Sequence, residues 1–244
     1  MRKLTYHESR ITDYNNSMCG RFTLTLDPSQ LQDLFGLTGT PPAAWAARYN
    51  IAPTQPVAAI ILNENSQREL THFQWGLIPS WSKDISIGSR MINARAETIR
   101  DKPAFRAALK KRRCLIPANG FYEWQKTDKV KTPMYITMKD GSPFAIAGLW
   151  EQWRSPQEDV IRSCTLITTT PNSFMEKIHD RMPAILNPQD YDRWLAPGEL
   201  PEMDLHHLLS PYPAAKMKAI EVSRKVNSPK FDSVECVEAV QVGM

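Results

Sequence analysis

Apolar and polar residues alternate with a period of two in several short stretches of the chain, which is the pattern of half-buried β-strands. The first of these stretches is residues 21–26, with the sequence RFTLTL. A continuous apolar run at 57–62 predicts a buried strand, and the alternation at 69–75 predicts its hairpin partner. Further strands are predicted at 134–138, 144–150, 164–170 and 218–222, the first two joined as a hairpin by the Asp140-Gly141 turn.

Short helical patterns lie between these strands. Asp27 is a favoured capping residue and Pro28 a favoured first residue, so a helix is predicted to begin there and to end at Gly36. Its buried stripe is predicted to consist of Leu31, Leu34 and Phe35. A second helix is predicted to begin at Pro103 and to end on the basic run 110–113, which we interpret as a solvated helix end in preference to a phosphate contact or a nuclear signal.

The order of the elements indicates the fold class. Mostly antiparallel strands interleaved with short helices predict a single α+β domain, with a strongly curved, mostly antiparallel β-sheet core and short flanking helices. The domain is predicted to span residues 18–244. Residues 1–17 are polar and end in Asn15-Asn16-Ser17, so they are predicted to be a flexible N-terminal extension that is absent from the mature protein.

The composition is that of an ordinary globular protein, with 42% hydrophobic and 23% charged residues. A formal net charge of +4 permits a polyanionic partner without requiring one. The four cysteines are scattered, with neither the spacing of a zinc site nor that of a disulfide framework. No secretory signal or membrane span is recognisable. We therefore expect a reduced, cytoplasmic protein, nucleoid-associated if bacterial, with no metal, cofactor or membrane partner.

Met18-Cys19 at the start of the first strand offers an unusual chemistry. If the bond before Cys19 is cut, this residue carries a free α-amine and a thiol on adjacent carbons, and the pair condenses with an aldehyde to an imine and then to a thiazolidine. The ordinary α-amine pKa of about 7.7–8.0 leaves a useful neutral fraction near neutral pH. The alternative is that Cys19 is a small buried hydrophobe.

Three other polar residues lie in apolar surroundings. Glu123 lies between Tyr122 and Trp124, where desolvation is expected to raise its pKa towards that of a general acid or base; alternatively, it lies on the wet face of a strand. His179 could shuttle a proton or donate to an oxyanion, or be structural. Asn93 could orient an amine, or cap the turn that follows it.

A further group has the residue types that hold single-stranded nucleic acid. Arg21 and Arg95 could grip phosphate, and Trp81 could stack on a base. Salt bridges for the arginines and core packing for the tryptophan are the alternatives.

Seven motifs occur in a fixed order along the chain. Together they resemble the SOS-response-associated peptidase family, whose members are abasic-site processing proteins. The motifs are MCGRF at 18–22, RYNIAPT at 48–54, WGLIPSW at 75–81, NARAET at 93–98, GFYEW at 120–124, HDRMP at 179–183 and VS at 222–223.

The resemblance implies a substrate and a set of roles. Such proteins use an N-terminal cysteine to capture the aldehyde of an abasic site in single-stranded DNA as a thiazolidine crosslink, which shields the lesion. By resemblance, Cys19 is the double nucleophile, Asn93 positions its amine, Glu123 moves protons, and His179 acts on the sugar oxygen. The positions expected to line the DNA groove are Arg21, Asn50, Trp81, Arg95, Arg181 and Ser223. The partner is then abasic single-stranded DNA, bound by a monomer.

One departure from the family pattern concerns the N-terminus. The family's cysteine follows the initiator methionine, whereas 17 residues precede Met18 here. Translation from Met18, trimming by another protease and self-cleavage of the Met18-Cys19 bond would each expose the amine. Weak lyase activity and autoproteolysis are expected side activities. The competing hypotheses are a cysteine (auto)peptidase acting on peptide bonds and a non-catalytic single-strand-binding module.

Overall fold

The structure is a computed structural model that describes residues 20–39, 45–128, 130–155 and 157–240. The strands within these ranges are β1 (Arg21–Leu24), β2 (Arg48–Ile51), β3 (Pro56–Leu62), β4 (Arg68–Trp75), β5 (Asn93–Arg95), β6 (Arg113–Ala118), β7 (Gly120–Thr127), β8 (Val130–Met138), β9 (Phe144–Arg154), β10 (Val160–Thr169), β11 (Met182–Pro183), β12 (Ile185–Leu186) and β13 (Met217–Glu221). The α-helices are α1 (Pro28–Phe35), α2 (Pro103–Lys111), α3 (Tyr191–Leu195) and α4 (Glu202–Leu208). Residues 1–19, which include the predicted extension and Cys19, lie outside the described residues.

The strands form two sheets. The first has the order β13-β8-β7-β1-β2, with every neighbouring pair antiparallel. The second has the order β11-β10-β4-β3-β6-β9-β12. Because β10 also pairs with β9, strands β10, β4, β3, β6 and β9 close on themselves into a small barrel. The predicted α+β class, with a curved and mostly antiparallel sheet, is confirmed; the parallel pairs join β10 to β4 and to β5.

The first strand is more deeply buried than its alternating pattern predicts. All four residues of β1 are buried, including Arg21 and Thr23, so the half-buried interpretation is wrong. The reason is the position of β1 between β2 and β7, with Phe22 and Leu24 in the main core and the opposite face covered by the C-terminal part of the chain.

One predicted hairpin is confirmed and the other is wrong. Strands β3 and β4 pair in register from Pro56↔Gln74 to Leu62↔Arg68. Strands β8 and β9 do not pair, because β8 belongs to the first sheet and β9 to the barrel. The turn at Asp140-Gly141 does form, with a φ of 76° at Gly141, but it passes the chain from one sheet to the other.

The predicted helix ends are confirmed, with two corrections. Asp27 caps α1, and Gly36 follows it in the left-handed conformation. Leu34 is 52% exposed, so it does not belong to the buried stripe. Helix α2 ends before the basic run does, and Arg113 is buried, where it donates to the carbonyl oxygens of Leu109, Trp194, Ala196 and Gly198. Arg113 is therefore an internal brace between α2 and α3, not part of a solvated helix end.

The C-terminal part of the chain covers the first sheet. Val226 and Cys236 pack against Tyr122 and Tyr135 in a small second core. Asp232 accepts hydrogen bonds from the backbone N–H groups of Tyr49 and Asn50 and pairs with Arg48. In the ranges that the structure describes, no helix has both the length and the apolar character needed to cross a membrane.

Candidate functional site

Glu123 lies in the middle of the first sheet, on β7, and is 2% exposed. Strand β7 pairs with β1 on one side and β8 on the other, and Arg21 at the start of β1 lies opposite Tyr122. The chain therefore enters β1 beside Glu123. Cys19, two residues before Arg21, lies outside the described residues, so its predicted role stays a prediction.

His179 faces Glu123 from a separate segment. Its Nε2 lies 3.9 Å from Oε2 of Glu123. The backbone N–H of Arg181 donates to Nδ1 of His179 at 3.2 Å, which assigns the proton of the neutral imidazole to Nε2, on the side of the carboxylate. Oδ1 of Asp180 also lies 3.0 Å from this Nδ1. A reacting group that lies beside the two side chains, within hydrogen-bond distance of each, could therefore exchange protons with both.

Neighbouring contacts hold this pair in place. Gln125, on the same face of β7 as Glu123, donates from Nε2 to the carbonyl oxygen of Lys177 at 2.7 Å. Asn172 accepts from the backbone N–H groups of Phe174 and Met175 and so begins the turn that leads to His179. The sequence analysis missed Gln125, whose period-two spacing from Glu123 was the available signal.

The predicted residues Asn93, Arg95 and Arg181 meet around the end of β10. Strand β5 pairs with β10 so that Asn93 lies opposite Leu166 and Arg95 opposite Thr168. Strand β11, which follows Arg181, pairs with the same Thr168 from the other side. Asn93 is half-buried and Arg95 is exposed. Because only Asp180 separates Arg181 from His179, this edge is continuous with the acid-base pair.

Arg181 is 10% exposed at its side chain and is held by a two-pronged ion pair. Its Nη1 and Nη2 donate to the two carboxylate oxygens of Glu97 at 2.6 and 2.8 Å, and Nη2 also donates to the carbonyl oxygen of Thr168. Partial burial raises the pKa of Glu97, but the hydrogen bonds and charge of Arg181 outweigh it and bring this pKa below its ordinary value. Glu97 was quoted in a motif but given no role by the sequence.

Trp81 is 61% exposed and lies on an arm, residues 80–91, that follows the buried residues 76–79. The base of the arm is tightly packed, since a Cβ on Gly76 would come within 2.5 Å of the carbonyl oxygen of Gly88. Trp153 on β9 donates from Nε1 to the carbonyl oxygen of Ser82 at 2.7 Å. Trp81 is therefore an accessible stacking surface on a firmly held support.

Arg21, Asn50 and Ser223 lie with the C-terminal part of the chain. Arg21 donates to Oδ1 of Asn50 at 2.9 Å and to the carbonyl oxygen of Val226 at 2.6 Å. Asn50 is fully buried and donates to the carbonyl oxygens of Val226, Ser228 and Phe231. Half-buried Ser223 accepts from the N–H of Lys225. The structure gives Arg21 and Asn50 an internal bracing role, and their contact with DNA stays a prediction.

The burial of Arg21 also has an electrostatic effect. Desolvation lowers the pKa of its guanidinium from the ordinary value, and a guanidinium still keeps its charge at neutral pH.

Across the described ranges there is no group of three His, Cys, Asp or Glu side chains arranged to hold a metal ion.

Residues 18–229 match the family model described as SOS response associated peptidase, or SRAP. The chain belongs to the SRAP family. The match includes every predicted site residue, from Cys19 to Ser223.

Named relatives of this SRAP chain include two from Bacillus subtilis. Abasic site processing protein YoaM is 48% identical over 224 residues, covering 91% of this chain and 98% of the relative. Abasic site processing protein YoqW is 46% identical over 224 residues, covering 91% of this chain and 100% of the relative. A crystal structure of a protein from Bacteroides thetaiotaomicron matches with a TM-score of 0.82 at 27% identity, covering 91% of this chain and 100% of that chain.

Proposed function

We propose that this SRAP-family protein processes abasic sites in single-stranded DNA by capturing them covalently. The observation that carries the proposal is the buried Glu123, faced by His179, beside the entry of the strand that follows Cys19. The names of the Bacillus relatives, abasic site processing proteins, supply the substrate class.

The proposed reaction uses both nucleophiles of an N-terminal Cys19. The α-amine adds to the aldehyde carbon C1′ of the ring-opened sugar, loss of one water gives an imine, and the thiol adds to the imine carbon to close a thiazolidine. Glu123 carries protons between the amine, the departing water and the thiol. His179, with Nε2–H on the side of Glu123, protonates the sugar ring oxygen during ring opening, and Asn93 orients the amine.

The imine also accounts for the weak lyase activity that we propose. An iminium at C1′ acidifies the protons on C2′, so loss of a C2′ proton expels the 3′ phosphate by β-elimination. Closure of the thiazolidine removes the iminium and suppresses this path. The shielding function therefore depends on the thiol.

Exposure of the amine is a necessary step in this proposal. We propose that translation from Met18 followed by removal of that methionine produces the mature N-terminus, since methionine is readily removed before a small residue such as cysteine. Intact-mass measurement of the purified protein tests this step. A chain that retains residues 1–18 and still crosslinks would contradict it.

The proposed groove for the DNA combines the exposed Trp81 and Arg95 with the partly covered Arg181. Stacking on an exposed indole and phosphate contacts by guanidinium groups hold single strands without reading their sequence. The C-terminal segment is proposed to form part of this groove. It is held in place by hydrogen bonds of Arg21, Asn50 and Ser223. The protein is proposed to act as a monomer.

The proposed function is tested with abasic and undamaged single-stranded oligonucleotides of the same sequence. The wild-type protein is expected to form an SDS-resistant adduct with the abasic strand alone, and Cys19→Ala is expected to form none while binding both strands reversibly. An adduct formed equally by Cys19→Ala would overturn the proposal. Cleavage of peptides in trans without an adduct would favour a cysteine peptidase, and reversible binding alone would favour a simple binding module.

Arg95→Ala is expected to weaken reversible binding of undamaged single-stranded DNA in a salt-dependent way. Each lost phosphate contact lowers the slope of log K against log salt by about 0.7, because fewer counterions are released. Fluorescence anisotropy at several salt concentrations measures the slope. Arg193→Ala is the matched control, because Arg193 is paired with Asp204 on the helical side of the barrel. An unchanged slope for Arg95→Ala would assign this residue a structural role.

A further inference from the structure

We propose that Glu97 is a built-in competitor of DNA, whose carboxylate occupies the guanidinium of Arg181 until a backbone phosphate replaces it. This inference rests on the proposed function, since it takes DNA as the ligand of the groove. It deepens that function by assigning a regulatory role to a residue that the motif alone left without one.

The hydrogen bonds of Arg181 show which of its faces a phosphate can use. Nη2 is tied to the carbonyl oxygen of Thr168, and Nε is buried, with no hydrogen-bond partner among the described residues. The pair of donors formed by Nη1 and Nη2 points to Glu97. A phosphate arriving from solvent can reach this pair of donors only at the place that the Glu97 carboxylate holds.

The two partners differ in their accessibility. The side chain of Arg181 is 10% exposed and that of Glu97 is 43% exposed, so Glu97 is the member free to rotate into water. Arg181 keeps its bond to Thr168 when this happens. A carboxylate and a phosphate present the same two-oxygen edge to a guanidinium, so one can take the place of the other with the arginine unmoved.

The exchange has a defined electrostatic consequence. Without DNA, the Glu97 charge neutralises Arg181 and discourages other anions from this part of the groove. Exposed Arg95, two residues before Glu97, remains to make the first contact with a phosphate. A DNA strand that occupies only part of the groove contacts Arg95 but not Arg181. Stable binding therefore requires the DNA to displace the Glu97 carboxylate.

The test uses reversible binding of an undamaged single strand by the full chain, measured by anisotropy at several salt concentrations. Glu97→Gln is expected to bind about three- to tenfold more tightly at low salt, because the phosphate no longer has to displace a carboxylate from Arg181. Its slope is expected to be steeper by about 0.7, because the Glu97 carboxylate that the wild type releases on binding takes up a cation, which offsets one counterion released from the DNA. Glu176→Gln, which removes an exposed charge from the turn before His179, is the matched control and is expected to change neither quantity appreciably.

A double-mutant cycle separates competition from a general charge effect. In an Arg181→Met background, Glu97→Gln is expected to change the affinity by less than twofold. Weaker binding or an unchanged slope for Glu97→Gln alone, or an equal gain in the Arg181→Met background, would overturn the proposal. If Arg181→Met does not fold, as judged by its melting curve, the slopes of Glu97→Gln and Glu176→Gln still decide the question.

The outcomes also separate this inference from the proposed function. If the wild-type protein forms the Cys19-dependent adduct and Glu97→Gln behaves like wild type, the inference alone fails. If the wild-type protein neither binds single strands nor forms the adduct, the proposed function fails.

Discussion

A mature chain that begins one residue before Cys19 is expected to form no SDS-resistant adduct with abasic single-stranded DNA, although it still binds the DNA reversibly. The additional residue converts the α-amine into an amide, whose nitrogen lone pair is delocalised into the carbonyl group and cannot form an imine. The thiol alone gives only a reversible hemithioacetal with the aldehyde. The expected loss is complete within the sensitivity of the gel.

The comparison requires two proteins that differ only at the terminus. Fusions cleaved by the same protease release chains beginning at Cys19 or at a glycine placed before it, and denaturing gels and intact mass are then read for both. The adduct of the first chain is expected to weigh as much as protein plus DNA minus one water. Equal adduct formation by the longer chain would exclude the aminothiol mechanism and direct attention to a lysine or to the thiol alone.

Glu123→Gln is expected to slow formation of the adduct by about a hundredfold to ten-thousandfold, the range that general acid-base catalysis typically supplies. The amide keeps the size of the carboxyl group but cannot take up and release a proton. Because Glu123 is not placed in the DNA groove, the affinity for undamaged single strands is expected to stay within about twofold. Single-turnover rates on abasic DNA across a range of pH measure the effect.

A matched control for this substitution is available in the barrel. Glu151 on β9 is also almost fully buried and is paired with Arg112 at 2.7 Å. Glu151→Gln is expected to lower the melting temperature without slowing the crosslinking rate of the folded protein. The pH dependence supplies a second criterion, since Glu123→Gln is expected to lose the part of the profile that a carboxyl group controls. A rate for Glu123→Gln within threefold of wild type would show that another group moves the protons.

Local sequence signals predicted the positions of helices, strands and turns better than they predicted which strands pair. Asp27 and Gly36 mark the ends of α1 correctly because a cap depends only on residues a few positions away. The turn at Asp140-Gly141 was also correct, but its strands belong to different sheets, and that outcome depends on the register of β8 with β7 and β13. The choice of strand partner is a property of the whole chain, which a turn motif cannot specify.

The candidate site shows the same division between residue type and partner. The types of Glu123 and His179 suggested proton transfer, and the structure does bring them within 3.9 Å of each other. Residue type did not reveal that the Asn50 side chain donates to three backbone carbonyls or that Arg181 forms an ion pair with Glu97. The sequence of a motif does not show whether its arginine binds a phosphate or a carboxylate. Only the folded chain distinguishes the two.

The central position of β1 has a consequence for synthesis of the protein. Strand β1 lies between β2 and β7, and the histidine opposite Glu123 is residue 179, so the earliest part of the chain depends on much later parts. Under the proposed mechanism, a nascent chain on the ribosome would present the Cys19 aminothiol long before Glu123 and His179 have both emerged. The acid-base assistance that we propose is therefore expected only when translation has passed residue 179, and a chain truncated before it is expected to keep only the slower intrinsic reaction of a free aminothiol with aldehydes.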